Sequence, residues 1–136
     1  MRSVFFQKPL EYQIQTEEEE WNQGDAIQGR LRIRNNSFEA AVSVGARLLL
    51  AHGVRKEVKS GDTKAWNVLD EQNLIEAQGF DAQDEQNFEW TLKLPSDCPI
   101  TDKSASLFLL FGGVDVLQEG GRIDLHVSLH PILQSF

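Results

Sequence analysis

Apolar and polar residues alternate with a period of two along much of the chain, the mark of strands with one buried face. In 26–34, Ile27, Gly29, Leu31 and Ile33 fall on one side, and Gln28, Arg30, Arg32 and Arg34 on the other. In 88–94, Phe88, Trp90, Leu92 and Leu94 oppose Glu89, Thr91 and Lys93. In 123–130, Ile123, Leu125, Val127 and Leu129 oppose Asp124, His126, Ser128 and His130. Weaker strand candidates are 2–7, 11–16 with Tyr12 and Ile14 inward, and 41–51, where Val42, Val44, Ala46, Leu48 and Leu50 share a face. Segment 105–111 is apolar on both faces. It is either a central strand covered on its second side, by a stretch such as 64–80, or the source of an exposed patch. Leu107, Phe108, Leu109 and Leu110 are therefore candidate interface residues. Within 64–80, Trp66, Leu69 and Leu74 fit a short helix or two ragged strands equally well.

Turn-forming residues punctuate these runs at Asn22-Gln23-Gly24-Asp25, Asn35-Asn36-Ser37, Ser60-Gly61-Asp62, Pro95-Ser96-Asp97 and Glu119-Gly120-Gly121. They tolerate positive φ or fold back on their own backbone. Short alternating strands at this spacing predict an all-β, antiparallel, immunoglobulin-like sandwich of about seven to nine strands. No repeat, low-complexity tract or linker divides the chain, so 1–136 reads as one domain.

Composition narrows the function classes. A chain of 136 residues, 40% apolar and 25% charged, is long enough to bury a real core. Acidic residues outnumber basic ones by 21 to 13, for a net charge of −8. That balance disfavours phosphate backbones and anionic lipid as partners. One cysteine, Cys98, cannot close an internal disulfide, which fits a reducing compartment. The first residues lack the apolar stretch of a secretory signal, and no segment reaches membrane-spanning length, so stable membrane insertion is not expected and a cytoplasmic location is.

Candidate chemistry is sparse. Asp124, His126 and Ser128 contain the residue types of a hydrolase triad, but neighbours on one strand face stand about 7 Å apart and do not converge. His126 and His130 are about 13 Å apart, too far to share a metal. Asp124 with His126 reads as a surface pair, or as part of a metal site that another strand would complete. The acidic runs Glu17–Glu20 and Asp81, Asp84, Glu85 lack calcium-loop spacing and read as solvated loops or as docking patches for a basic partner. Cys98, between Asp97 and Pro99, has no basic neighbour to stabilise a thiolate. Asn35-Asn36-Ser37 fits a glycosylation acceptor but, without a secretory signal, reads as a turn. Trp21, Trp66 and Trp90 raise a sugar platform, although Trp90 alternates with core residues.

Two motifs carry a family resemblance. Trp21-Asn22-Gln23-Gly24-Asp25-Ala26-Ile27-Gln28-Gly29 resembles the arrestin N-domain pattern of an aromatic residue, two more residues, Gly-Asp, then apolar-x-Gly. Gly24-Asp25 suits a tight turn into a strand, and Gly29 removes a side chain where a neighbour comes close. Phe88-x-Trp90-x-Leu92-x-Leu94-Pro95, followed by Asp97, Pro99, Thr101 and Ser104, is similar to the family's aromatic strand and its Leu-Pro and Pro-x-Ser/Thr segments. The pattern is most similar to the arrestin-like bacterial sporulation-control proteins, and more distantly to the arrestin-like retromer subunit.

The resemblance implies an arrestin-like sandwich with Trp21, Gly24, Asp25, Gly29, Phe88, Trp90, Leu94, Pro95 and Pro99 as structural motif residues. The tail 127–134 is similar to the point where such proteins leave their first sandwich, and full-length members usually continue into a second. The chain is thus one domain or the first lobe of a longer protein. Receptor-binding arrestins carry adjacent lysines on their first strand; the similar stretch Val4-Phe5-Phe6-Gln7-Lys8 keeps only Lys8, so phosphate sensing does not carry over.

The function expected is a non-enzymatic adaptor or scaffold in sporulation-like bacterial control. It would bind protein partners by sheet-edge addition, a second lobe or a second copy, with no cofactor, metal or catalytic residue. The alternative is a carbohydrate- or metal-binding sandwich using Trp21, Trp66 or the Asp124/His126 face.

Overall fold

A computed structural model describes residues 1–59, 66–113 and 120–129. The described strands are β1 (Arg2–Gln7), β2 (Leu10–Thr16), β3 (Glu20–Asn22), β4 (Ala26–Asn35), β5 (Ala41–Ser43), β6 (Ala46–Val54), β7 (Asn67–Ile75), β8 (Gln78–Phe80), β9 (Glu85–Lys93), β10 (Ala105–Gly112) and β11 (Gly121–Ser128). A one-turn helix, α1 (Arg55–Lys59), follows β6. One sheet has the order β1-β2-β4-β9, a second β3-β11-β10-β6-β7, and β5 pairs with β8 in a separate ribbon. All pairings are antiparallel except β3 on β11.

The two layers enclose one core. Tyr12, Ile14, Leu31 and Ile33 enter it from the four-stranded sheet, and Leu48, Leu50, Leu107 and Leu125 from the five-stranded one. The three regular alternations in the sequence became β4, β9 and β11 because an antiparallel sheet with one wet face places successive residues in core and solvent. Strand β11 closes at Ser128, and His130 lies outside the described residues.

Two sequence expectations need correction, and one choice left open is resolved. The run 41–51 is not one strand with a shared apolar face. Gly45 adopts φ 99° and ends it, so β5 joins the ribbon and β6 the large sheet. Val42 and Val44 are exposed, while Ala46, Leu48 and Leu50 are core. Second, the open choice over 64–80 falls to its strand alternative: the described part forms β7 and β8, and Leu69 lies on an exposed edge. Third, β10 leaves no exposed apolar patch. Leu107 and Leu109 fill the main core, and Phe108 and Leu110 join Leu49, Ala51 and Val58 in a second cluster, with Trp66 packed against it. All four candidate interface residues are at most 5% exposed. The cover combines Trp66, within the expected stretch, with Val58 of α1, which the sequence periodicity did not reveal.

Candidate partner-binding surfaces

The two motif segments meet at one end of the sandwich. Gly24 has φ 84°, and Asp25 closes the turn: its Oδ2 accepts the Asn22 N–H at 2.8 Å. The carbonyl of Asp25 accepts the Leu94 N–H at 2.8 Å, and the Gln23 side-chain amide donates to the Cys98 carbonyl. Trp21 and Trp90 are both buried, so neither offers a sugar platform; Trp66 is partly buried and meets the Phe108 ring edge-on at 5.0 Å. Downstream, Thr101 clamps β11: its Oγ1 donates to the Leu125 carbonyl at 2.7 Å and accepts the Val127 N–H at 2.9 Å. The motif residues thus form a network that holds loop 94–101 against β3 and β11.

The triad-like residues do not come together. Asp124 accepts from Ser106 Oγ at 2.5 Å and from Arg55 Nε at 3.2 Å. Arg55 also donates to the Asp102 carbonyl at 2.5 Å. Asp124 therefore ties α1 and the 102–106 turn to β11. His126 is exposed and sits across from Glu20, while Ser128 lies opposite Asn22. Among the described residues no three His, Cys, Asp or Glu side chains gather as a metal would need.

Other candidates are absorbed into the fold. Asn35 is fully buried; its amide donates to the carbonyls of Glu39 at 2.8 Å and Asp81 at 3.0 Å, and its Oδ1 accepts from Ser37. That is a turn residue with no nitrogen to spare. Cys98 is buried, and burial, reinforced by the negative charge of Asp97, pushes its thiol pKa up. The Asp102 carboxylate is held below its usual pKa by the N–H groups of Ala105 and Ser104. Glu17–Glu20 are exposed. No described helix is long and apolar enough to cross a membrane.

The sheet edges differ in their fitness to receive another strand. Native edges are blunted by shortness, bulges or charge. Strand β3 has three residues. Strand β7 pairs with β6 through two register shifts and carries Asp70 and Glu71. Strand β9 presents Glu85, Glu89 and Lys93 outward. Strand β1 has none of these defences beyond Arg2 at its start. It pairs with β2 without interruption from Arg2 to Gln7, and the Thr16 N–H donates to the Met1 carbonyl at 2.9 Å. No described strand pairs with its other side. Phe5 turns inward against Tyr12, ring centroids 5.8 Å apart, whereas Val4 and Phe6 are 40% and 58% exposed. The sequence marked 2–7 as a strand, but its place at an edge depends on pairings between distant segments.

No protein-family model and no curated protein matches the chain. Among solved structures it is similar to Spo0M, a sporulation control protein from Bacillus subtilis, with TM-score 0.72 and 18% identity over 92% of this chain and 51% of that one. It therefore spans about half the length of Spo0M. It is also similar to part of a β-glucosidase from Listeria innocua, solved in complex with glucose, with TM-score 0.51 and 13% identity over 88% of this chain and 16% of that one. The strand arrangement and the Spo0M likeness together give the conclusion that this chain is an all-β, mainly antiparallel, arrestin-like sandwich.

Proposed function

We propose that the chain is a non-catalytic protein-interaction domain, an adaptor or scaffold in a regulatory system akin to bacterial sporulation control. Its partner adds a strand along the edge of β1 that no described strand occupies. The observation that carries this reading is β1 itself: an unbroken strand in register with β2, with a second edge that no described strand pairs with and two exposed apolar side chains, Val4 and Phe6. An added strand gains backbone hydrogen bonds along the edge, and its alternate side chains meet Val4 and Phe6, which gives selectivity. The polar groups that resembled a catalytic set support the same reading, because Asp124 is occupied in bracing α1 and the 102–106 turn. In this reading the chain, which spans about half the length of Spo0M, acts as one lobe of a longer two-lobed protein.

The test compares proteins captured from native-cell extract by the original chain, by Val4→Lys/Phe6→Lys and by Leu69→Lys. Loss of a captured protein with the first variant and its retention with the second supports the β1 edge. Equal capture by all three removes it.

A further inference from the structure

No described strand covers the outer face of the four-stranded sheet, and the register fixes what that face presents. Opposed residues across β1, β2, β4 and β9 form rows: Phe6, Glu11, Arg34 and Glu85; Val4, Gln13, Arg32 and Asn87; Arg2, Gln15, Arg30 and Glu89. The last two rows together carry three arginines against one glutamate, although the chain as a whole is at −8. At their centre Gln13, Gln15, Arg30, Arg32 and Asn87 line a shallow basin of about 160 Å³. Arg32 is held in place, its Nη2 donating to Gln13 Oε1 at 2.8 Å and its Nε 3.4 Å from Glu85 Oε1. Arg30 is exposed and makes no ion pair with a described residue.

We infer that this basin is a carboxylate-binding site that docks a Glu- or Asp-bearing segment of a partner protein. A guanidinium fork matches a carboxylate in two hydrogen bonds, and the flanking amides donate to its oxygens or pair with adjacent peptide groups. No aromatic ring lies among the five lining residues to stack a sugar. Glu11, Glu85 and Glu89 around the basin oppose a dianionic phosphate or an anionic lipid surface more strongly than a single carboxylate. Acidic peptide is the chemistry that remains. This site stands on the β4 face and does not depend on strand addition at β1.

The probe is the capped peptide acetyl-Gly-Gly-Glu-Gly-Gly-amide, with its Gln counterpart as the uncharged control, titrated into the chain labelled with nitrogen-15 and followed by amide chemical shifts. Expected are saturable shifts at Gln13, Gln15, Arg30, Arg32 and Asn87 with the Glu peptide alone, weakening as salt rises from about 50 to about 300 mM. Arg30→Gln/Arg32→Gln should keep a dispersed, folded spectrum and bind about tenfold more weakly, whereas Arg122→Gln on the other layer should bind unchanged. Equal shifts with both peptides, shifts elsewhere on the surface, or full affinity in the double variant would overturn the inference. Tighter binding of glucuronate or inorganic phosphate at the same residues would overturn the assignment to acidic peptide.

Discussion

The indole of Trp90 occupies the space that a side chain on Gly29 would need: a Cβ built there would stand 2.2 Å from Trp90 Cζ2 and 2.4 Å from the Gln15 carbonyl oxygen. The two residues are register partners on β4 and β9, and each belongs to a different one of the two sequence motifs. Backbone cannot move aside cheaply in a packed interior. Gly29→Ala is therefore expected to destabilise the domain by about 2–3 kcal/mol, read as a lowered urea midpoint at unchanged slope. A midpoint within error of the original would show that Trp90 turns away without cost.

Phe108 and Phe6 should respond oppositely to charge. Phe108 is 5% exposed beneath Val58 and Trp66, whereas Phe6 is 58% exposed. Phe108→Asp would bury an unpaired carboxylate and is expected to cost about 4 kcal/mol or more. Phe6→Lys should change stability by less than about 1 kcal/mol. Thermal melts of both variants check the contrast, and a well-folded Phe108→Asp would mean that the outer cluster opens to solvent.

Tyr12 makes the domain sensitive to alkali. Its hydroxyl is buried, lies 2.6 Å from Ser43 Oγ and donates to Gln7 Oε1 at 3.2 Å. Burial raises its pKa above 10.0, with the Ser43 hydrogen bond a smaller opposing influence. A raised pKa means that the folded state holds the proton more tightly than the unfolded one. The corresponding stability is complete below pH 10.0 and is lost as pH rises through the folded-state value. Tyr12→Phe should lose about 1 kcal/mol at neutral pH yet show a shallower decline above pH 10.0. Urea midpoints for both proteins between neutral and alkaline pH are the check. Parallel declines would exclude Tyr12 as a source.

Cys98 should be inert in the native state, since it is buried and its thiol pKa is raised. Iodoacetamide at mildly alkaline pH should alkylate it at least about tenfold faster in guanidinium than in buffer. Equal rates would place the thiol at the surface.

What could be read from the sequence follows from how each strand is wetted. Strands β4, β9 and β11 have one dry face and one wet face, so Ile27, Leu31 and Ile33 against Arg30, Arg32 and Arg34 reveal both strand and orientation. Strand β7 is an edge exposed along most of its length, so no apolar period marks it, and 64–80 stayed ambiguous. Helix α1 is a single turn, too short for a 3.6-residue period, and the cover it gives Phe108 through Val58 was therefore invisible. The break at Gly45 was hidden because Val42 and Val44 continue the alternation of Ala46, Leu48 and Leu50 across it. The candidate sites were half legible. The arginine side of β4 was plain, but its amide neighbours Gln13, Gln15 and Asn87 depend on register between distant segments. The open edge of β1 depends likewise on which strand ends the sheet.

The most direct test of partner binding at β1 is photo-crosslinking in the native cell, with p-benzoylphenylalanine replacing Phe6 in one strain and Leu69 in another. Strand addition at β1 should give a discrete protein adduct from position 6 and none from position 69. Adducts from position 69 alone, or from neither, would contradict it.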